Sequence, residues 1–309
     1  MKLFSLGADI GGSHISCQLI DLQNLQPIPE SKNRISVNPK ASKNEIIQIW
    51  VEALRKTISN HSVSSLAGIG FAMPGPFDYH NGIALFDKNV GKFQQLYGVN
   101  IKTEIVKKLN LPANFPVRFI NDATCFAIGE TWLGEASKYN RVIALTLGTG
   151  FGSTFIEDAL PVAGKYGIPK DGFLYHVPFK MSIADEYFST RWFTSEWEQR
   201  TGTKIENVKT IAELADKNKD AQDMFNLFGS NLGEFLAHWV KSFNAECIVL
   251  GGNITKSAHL FIPEMKKKLK KPRIQHEVYI SSLGEDAALI GSARLCDNDY
   301  YANLHPDGI

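Results

Sequence analysis

Twice in 309 residues a short apolar strand runs into a glycine turn and returns at once as a second strand. The first, Leu3–Ile10, carries Asp9 and passes through Gly11, Gly12 and Ser13 before returning over His14–Ile20. The second, Arg141–Leu147, carries Thr146 and passes through Gly148-Thr149-Gly150-Phe151-Gly152-Ser153 before returning through Thr154-Phe155-Ile156. Glycine lets such a turn reach positive φ and lets another molecule approach the backbone closely. The exposed N–H groups then form an anion-binding concavity, and an acid beside them suits a divalent cation. One such hairpin is an ordinary turn; two at comparable positions point to an internally duplicated α/β fold.

The rest of the chain supplies the layers around those hairpins. Apolar residues at helical spacing predict a helix over Ser42–Ser59, with Ile46, Ile49, Trp50, Ala53, Leu54 and Ile58 on one face. A buried strand over Leu66–Ala72 leads into the rigid turn Met73-Pro74-Gly75-Pro76, and Asn81-Gly82 marks a hairpin. Ile101–Leu109 reads as a helix and Val117–Ile120 as a strand. In the second half, helices are expected over Ser182–Gln199, Asn207–Asp216 and Ala221–Phe243, the last with a long aromatic stripe that reads as core. Cys247–Leu250 is a buried strand entering the turn Gly251-Gly252-Asn253, and Ala287–Leu295 is a final helix. The tail from Asn298 is expected to be poorly ordered.

Between the two hairpins stands Asn121-Asp122, at the end of one strand and the start of a helix that continues through Phe126, Ala127, Glu130 and Leu133. The pair reads in two ways. Its side-chain oxygens can cap the helix by accepting first-turn N–H groups. Equally, a carboxylate at the carboxyl end of a strand stands where α/β sheets bind ligands.

Bulk properties exclude several classes of function. Hydrophobic content of 44% and charged content of 21% are those of a globular protein, and a net charge of +1 gives no electrostatic case for nucleic acid or an acidic membrane. No apolar run approaches the roughly 20 residues of a membrane span. The first strand begins at about Leu3, so no leader peptide is expected. Four cysteines, Cys17, Cys125, Cys247 and Cys296, lie far apart without metal-ligand spacing. A reduced, cytoplasmic protein is the expectation.

Five motifs in one order, Asp9-Ile-Gly-Gly-Ser13, Met73-Pro-Gly-Pro76, Asn121-Asp122-Ala123, Thr146-Leu-Gly-Thr-Gly-Phe-Gly152 and Val249-Leu-Gly-Gly-Asn253, resemble the ROK family of sugar kinases. The resemblance runs from Gly7 to about Ala293. It implies a two-lobed actin-like ATPase (ribonuclease H-like) fold, with duplicated domains around a central cleft that closes on its ligands. The lobes would span residues 1–120 and 121–284, with a helix at about 285–297 returning to the first. It implies ATP and Mg²⁺ as cofactors, a hexose as substrate, no nucleic-acid or membrane partner, and, as often in the family, a homodimer. By that resemblance Asp122 is the general base toward the sugar's primary hydroxyl, and Gly75, Asn89, Asn121, His176 and Asp185 contact the sugar. Gly11, Gly12 and Ser13 form one phosphate loop and Thr146, Gly148, Thr149 and Gly150 the other. Asp9 holds Mg²⁺ through water, and Gly251 and Gly252 lie along the adenosine.

The chain also departs from the family pattern. Where the family usually carries Gly-Glu-Ile-Gly-His followed by a zinc-binding cysteine cluster, this sequence has Gly172-Phe173-Leu174-Tyr175-His176 and no cysteine up to Asp185. A structural zinc is therefore not expected, and Phe173 stands where a sugar-binding glutamate is usual. Asp185, with Glu186 beside it, replaces a second glutamate. The alternatives that remain are a polyphosphate-dependent glucokinase and a non-catalytic sugar-binding regulator of the same family.

Overall fold

The computed structural model describes residues 3–59, 61–88, 90–269 and 276–304. The chain divides into two compact units: one formed by residues up to Gly134 together with those from Glu285 onward, the other by Glu135–Gly284.

The first unit opens with an antiparallel meander, β1 (Phe4–Ile10), β2 (His14–Asp21) and β3 (Gln26–Ser36). Helix α1 (Lys43–Ile58) follows; Ser42 and Glu45 close a capping box at its start, and Trp50, Val51 and Leu54 are among its buried residues. Strand β4 (Leu66–Met73) then lies parallel to β1. The two-residue strands β5 (Phe77–Asp78) and β6 (Ile83–Ala84) pair around Asn81-Gly82, where Gly82 has φ of 73°. Helix α2 (Ile101–Lys108) leads to β7 (Val117–Asn121), parallel to β4, and β7 runs directly into α3 (Asp122–Trp132). The sheet order is β3-β2-β1-β4-β7.

The second unit repeats that plan. Strands β8 (Arg141–Leu147), β9 (Phe151–Glu157) and β10 (Leu160–Val162) form the meander. A hairpin, β11 (Pro178–Phe179) with β12 (Ser182–Ile183), precedes the short helix α4 (Ala184–Tyr187) and then α5 (Thr190–Thr201). The sequence pattern predicted one continuous helix here; Ser189, fully buried before α5, marks the break. Helices α6 (Val208–Leu214) and α7 (Lys219–Phe243) come next, and the aromatic stripe of α7 packs into the core against Phe155, Phe188 and Phe193. Strand β13 (Cys247–Gly251), helix α8 (Ala258–Leu269) and strand β14 (Glu277–Ile280) complete the order β10-β9-β8-β13-β14. In both units an antiparallel meander continues into a parallel half, so the duplication is visible in the topology itself.

Helix α9 (Asp286–Arg294) returns to the first unit and lies against β1, β4 and α3. Only glycine permits so close an approach. A Cβ on Gly7, Gly70 or Gly291 would stand 1.9 Å from the Leu289 carbonyl oxygen, 1.7 Å from that of Ser292 or 1.8 Å from that of Cys125. This seam also places α3 inside the first unit, whose boundary therefore falls after Gly134 and not at the expected 120. The tail expected to be disordered instead forms α10 (Asn298–Asn303), held by Arg118, whose guanidinium lies 4.1 Å over the Tyr301 ring; residues 305–309 lie outside the described residues. Among the described residues no helix is long and apolar enough to cross a membrane.

Candidate active site

In the first unit the parallel register brings three of the sequence motifs to one edge of the sheet. Asp9 of β1 pairs with Ala72 of β4, and Met73 pairs with Asn121 of β7. The β1–β2 glycine turn, the Pro-Gly-Pro turn and the start of α3 thus all emerge at the carboxyl ends of neighbouring parallel strands, where open α/β sheets take their ligands. Asn121 caps α3: its Oδ1 accepts from the Ala123 N–H at 2.9 Å and the Thr124 N–H at 3.3 Å. Its Nδ2 donates to the Tyr79 hydroxyl at 3.4 Å, and that hydroxyl donates to the Met73 carbonyl at 3.2 Å. Tyr79 therefore ties the Pro-Gly-Pro turn to the helix start. Asp122 Oδ1 accepts from the Ala123 N–H at 2.9 Å, and the residue is half-buried at the positive end of the helix.

Asp9 is the electrostatically loaded group of this edge. Burial pushes its carboxyl up to about 7, and the charges of Asp122 and Glu285 push the same way, against Arg34 and Lys92. Arg34 pairs with Glu285 at 2.9 Å and meets His14 Nδ1 at 3.1 Å. The His14 ring in turn covers Gly11, so that a Cβ there would stand 2.5 Å from it. A side chain at position 11 would have to displace that ring. At Gly12 a Cβ would meet only Lys92 Cδ, at 3.9 Å. Gly75 likewise has room, its nearest neighbour being the Tyr79 hydroxyl at 3.5 Å. Asn89, expected to contact sugar, lies outside the described residues.

In the second unit Thr146, the penultimate residue of β8, lies opposite Gly251 of β13, so the β8–β9 and β13 turns share an edge. The glycine turn is braced from below. Asp185 Oδ1 accepts from the Phe151 N–H at 2.7 Å, its Oδ2 pairs with Arg191, and Arg191 Nη1 donates to the Thr149 carbonyl at 3.2 Å. Thr190 Oγ1 donates to the Gly148 carbonyl at 2.9 Å. Both oxygens of Asp185 are therefore committed to the turn, while Glu186, about half exposed, meets Arg191 at 3.4 Å. The loop carrying Phe173 and His176 is fastened to β9 by the Leu174 N–H, which donates to Ser153 Oγ at 2.8 Å, and to α4 by the Asp185 N–H, which donates to the Tyr175 carbonyl at 2.9 Å. His176 faces Asp171 at 3.6 Å and packs edge-on to Tyr175. Gly148 has nothing within 4 Å of a built Cβ. Gly252 has φ of 88° and a Cβ there would stand 2.4 Å from the Leu147 carbonyl oxygen, so its own backbone explains it.

Sequence reasoning missed Tyr79, Arg34, Lys92, Thr190 and Arg191. None sits in a glycine motif, and each gains its place through a backbone path that periodicity does not reveal. The motif residues it named do collect at the carboxyl edge of each unit's own sheet. Each unit's turn fits a phosphate ligand: a Cβ on Gly148 would meet no atom within 4 Å and one on Gly12 only Lys92 Cδ, and in the first unit the half-buried Asp9, whose charge its surroundings disfavour, suits a cation.

Two sheets of the same order, each with a glycine turn at its carboxyl edge, define the actin-like ATPase fold. A crystal structure of a ROK family glucokinase from Streptomyces griseus, in complex with glucose and AMPPNP, superposes with a TM-score of 0.73 at 21% identity over 94% of this chain and 98% of that one. At that identity the likeness carries the fold. The chain belongs to the ROK family, whose model matches residues 5–299. It is 24% identical to a glucokinase of Thermotoga maritima over 95% of this chain and 97% of the relative. It is also 25% identical to a xylose repressor of Bacillus spizizenii, over 94% of this chain and 76% of that protein. Relatives of both kinds, sugar kinases and a repressor, thus stand at similar distance.

Proposed function

We propose that the protein is an ATP-dependent kinase that phosphorylates the primary hydroxyl of a hexose, glucose or a related sugar, with Asp122 as general base. The observation that carries this reading is the convergence of Asp9, the Pro-Gly-Pro turn and Asn121-Asp122 at one sheet edge. Glycines at 12 and 148 whose space no protein atom needs support it.

Phosphoryl transfer asks the protein for alignment and charge stabilisation more than for covalent help. In this reading Asn121, Gly75 and His176 contact the sugar. Asp122 takes the proton of the attacking hydroxyl as the new O–P bond forms and the bond from γ-phosphorus to the bridging oxygen breaks. Its second oxygen is available for this, since only Oδ1 has a backbone donor. Gly11, Gly12 and Ser13 offer N–H groups to phosphate, as do Gly148, Thr149 and Gly150 beside Thr146, while Gly251 and Gly252 line the adenosine. Asp185 holds the second turn in shape rather than the sugar. Mg²⁺, held through water by Asp9, would neutralise phosphate charge. Phe173 replaces an acceptor with apolar surface, which favours a sugar carrying a deoxy or N-acyl group over glucose itself. Such an enzyme works where ATP is available, and four buried cysteines outside any disulfide agree with a reducing cytoplasm.

A coupled assay across a hexose and amino-sugar panel, with Mg-ATP or polyphosphate as donor, tests the proposal. Turnover with ATP supports it, turnover with polyphosphate alone changes the donor, and sugar binding with no turnover on any sugar moves the protein to the regulators.

A further inference from the structure

We propose that Lys92 is a further catalytic residue, whose ammonium group binds the terminal phosphoryl group over the first glycine turn; this rests on the kinase reading above. The nearest atom to the open face of Gly12 is Lys92 Cδ, 3.9 Å from where a side chain would begin. The lysine stem therefore passes within van der Waals reach of Gly12, and its amine is near enough to act on the carboxyl of Asp9.

Its position is built rather than incidental. The next residue, Phe93, has φ of 55°, a left-handed conformation that a bulky side chain seldom adopts. Phe93 is fully buried, edge-on to Trp50 of α1 at 5.6 Å and 5.9 Å from Phe86, and its N–H donates to the Pro39 carbonyl at 2.8 Å. Strained backbone of this kind persists only when surrounding packing over-determines it. Here the packing fixes the backbone at the residue that follows Lys92. Lys92 has no hydrogen bond or ion pair to any described residue. A cation whose stem passes an open glycine, beside an acid suited to a metal, matches a group with several anionic oxygens. Three N–H donors on a compact ammonium can follow those oxygens as charge redistributes between the attacking and leaving sides.

The alternative is that Lys92 only neutralises Asp9. The two separate in one experiment on the full chain, comparing wild type with Lys92→Met and Lys92→Arg. Calorimetric titration with Mg-ATP, tripolyphosphate and AMP is run alongside kcat on the best sugar of the panel. Lys92→Met should weaken Mg-ATP and tripolyphosphate by about 10-fold or more, leave AMP within about 2-fold, and lower kcat by about 100-fold, roughly the loss of one transition-state donor. Lys92→Arg should recover part of both. Equal ATP affinity and equal kcat in wild type and Lys92→Met overturn the proposal while leaving the kinase reading intact. A wild type that binds Mg-ATP but phosphorylates no sugar, with binding lost in Lys92→Met, sinks the kinase reading and keeps Lys92 as a phosphate ligand. A wild type that binds neither Mg-ATP nor tripolyphosphate overturns both.

Discussion

Replacing Asp9 with asparagine should make the metal-free protein more stable at alkaline pH while removing its activity. The carboxyl of Asp9 is raised from 3.8 to about 7 by burial first and by its acidic neighbours second. A folded-state value above the unfolded one means that between those two limits the folded chain keeps a proton the unfolded chain has released. Stability from this site is fully present below about pH 4, declines as pH climbs to about 7, and stays lost above. At 1.36 kcal/mol for each tenfold change, the full loss is at most about 4 kcal/mol, and partial exposure brings it to about 2–4 kcal/mol. Asparagine cannot ionise and should not suffer it. Urea or thermal unfolding in EDTA at pH 4.5, 6, 7 and 8 reads the effect. Wild type and Asp9→Asn should differ least at the lowest pH, and the variant's lead should widen up to pH 8. Millimolar Mg²⁺ should then narrow the gap by stabilising wild type alone. A difference that does not change with pH, or a variant less stable at pH 8, would refute the electrostatic reasoning.

Asp122→Asn should lower kcat by about 10²–10⁴-fold with sugar affinity retained in calorimetry, since the amide keeps the Ala123 contact but accepts no proton; a near-normal kcat would remove Asp122 from its role. The glycines should separate cleanly: Gly148→Ala should leave stability within about 0.5 kcal/mol yet impair turnover, whereas Gly291→Ala, whose methyl would stand 1.8 Å from the Cys125 carbonyl oxygen, should cost more than about 3 kcal/mol in a denaturant melt. Arg191→Met should loosen the second glycine turn and raise the KM for ATP more than that for sugar; an effect on the sugar alone would contradict the bracing role of Asp185.

The strands β1, β4, β7, β8 and β13 were legible because they are short apolar runs bounded by glycine, proline or polar turns, and α1 and α7 because their apolar stripes are long. Strand β3 was not. Its sequence, Gln-Pro-Ile-Pro-Glu-Ser-Lys-Asn-Arg-Ile-Ser, is polar with two prolines, as an edge strand tolerates and as a loop also looks. Asn121-Asp122 was readable both as cap and as site, and Asn121 does cap. For Asp185 the sequence shows the chemical type but not that the Phe151 N–H and Arg191 meet both its oxygens. Lys92 gave no signal at all, since its importance depends on a loop returning to a turn some 80 positions earlier. Periodicity reports which face a side chain belongs to, and long-range chain paths lie outside it.

The glycine seam that receives α9 fixes an order of events during synthesis. The first unit needs residues from Asp286 onward to cover β1, β4 and α3, yet the whole second unit is translated before them. At typical elongation rates the ribosome takes on the order of ten seconds to make that insert. For that interval the amino-terminal unit stands unfinished with its apolar seam bare, while the later-made unit has all its own strands and can fold first. A stop codon shortly before Asp286 would therefore spare the second unit and disable the first, the opposite of what a reading along the chain would lead one to expect.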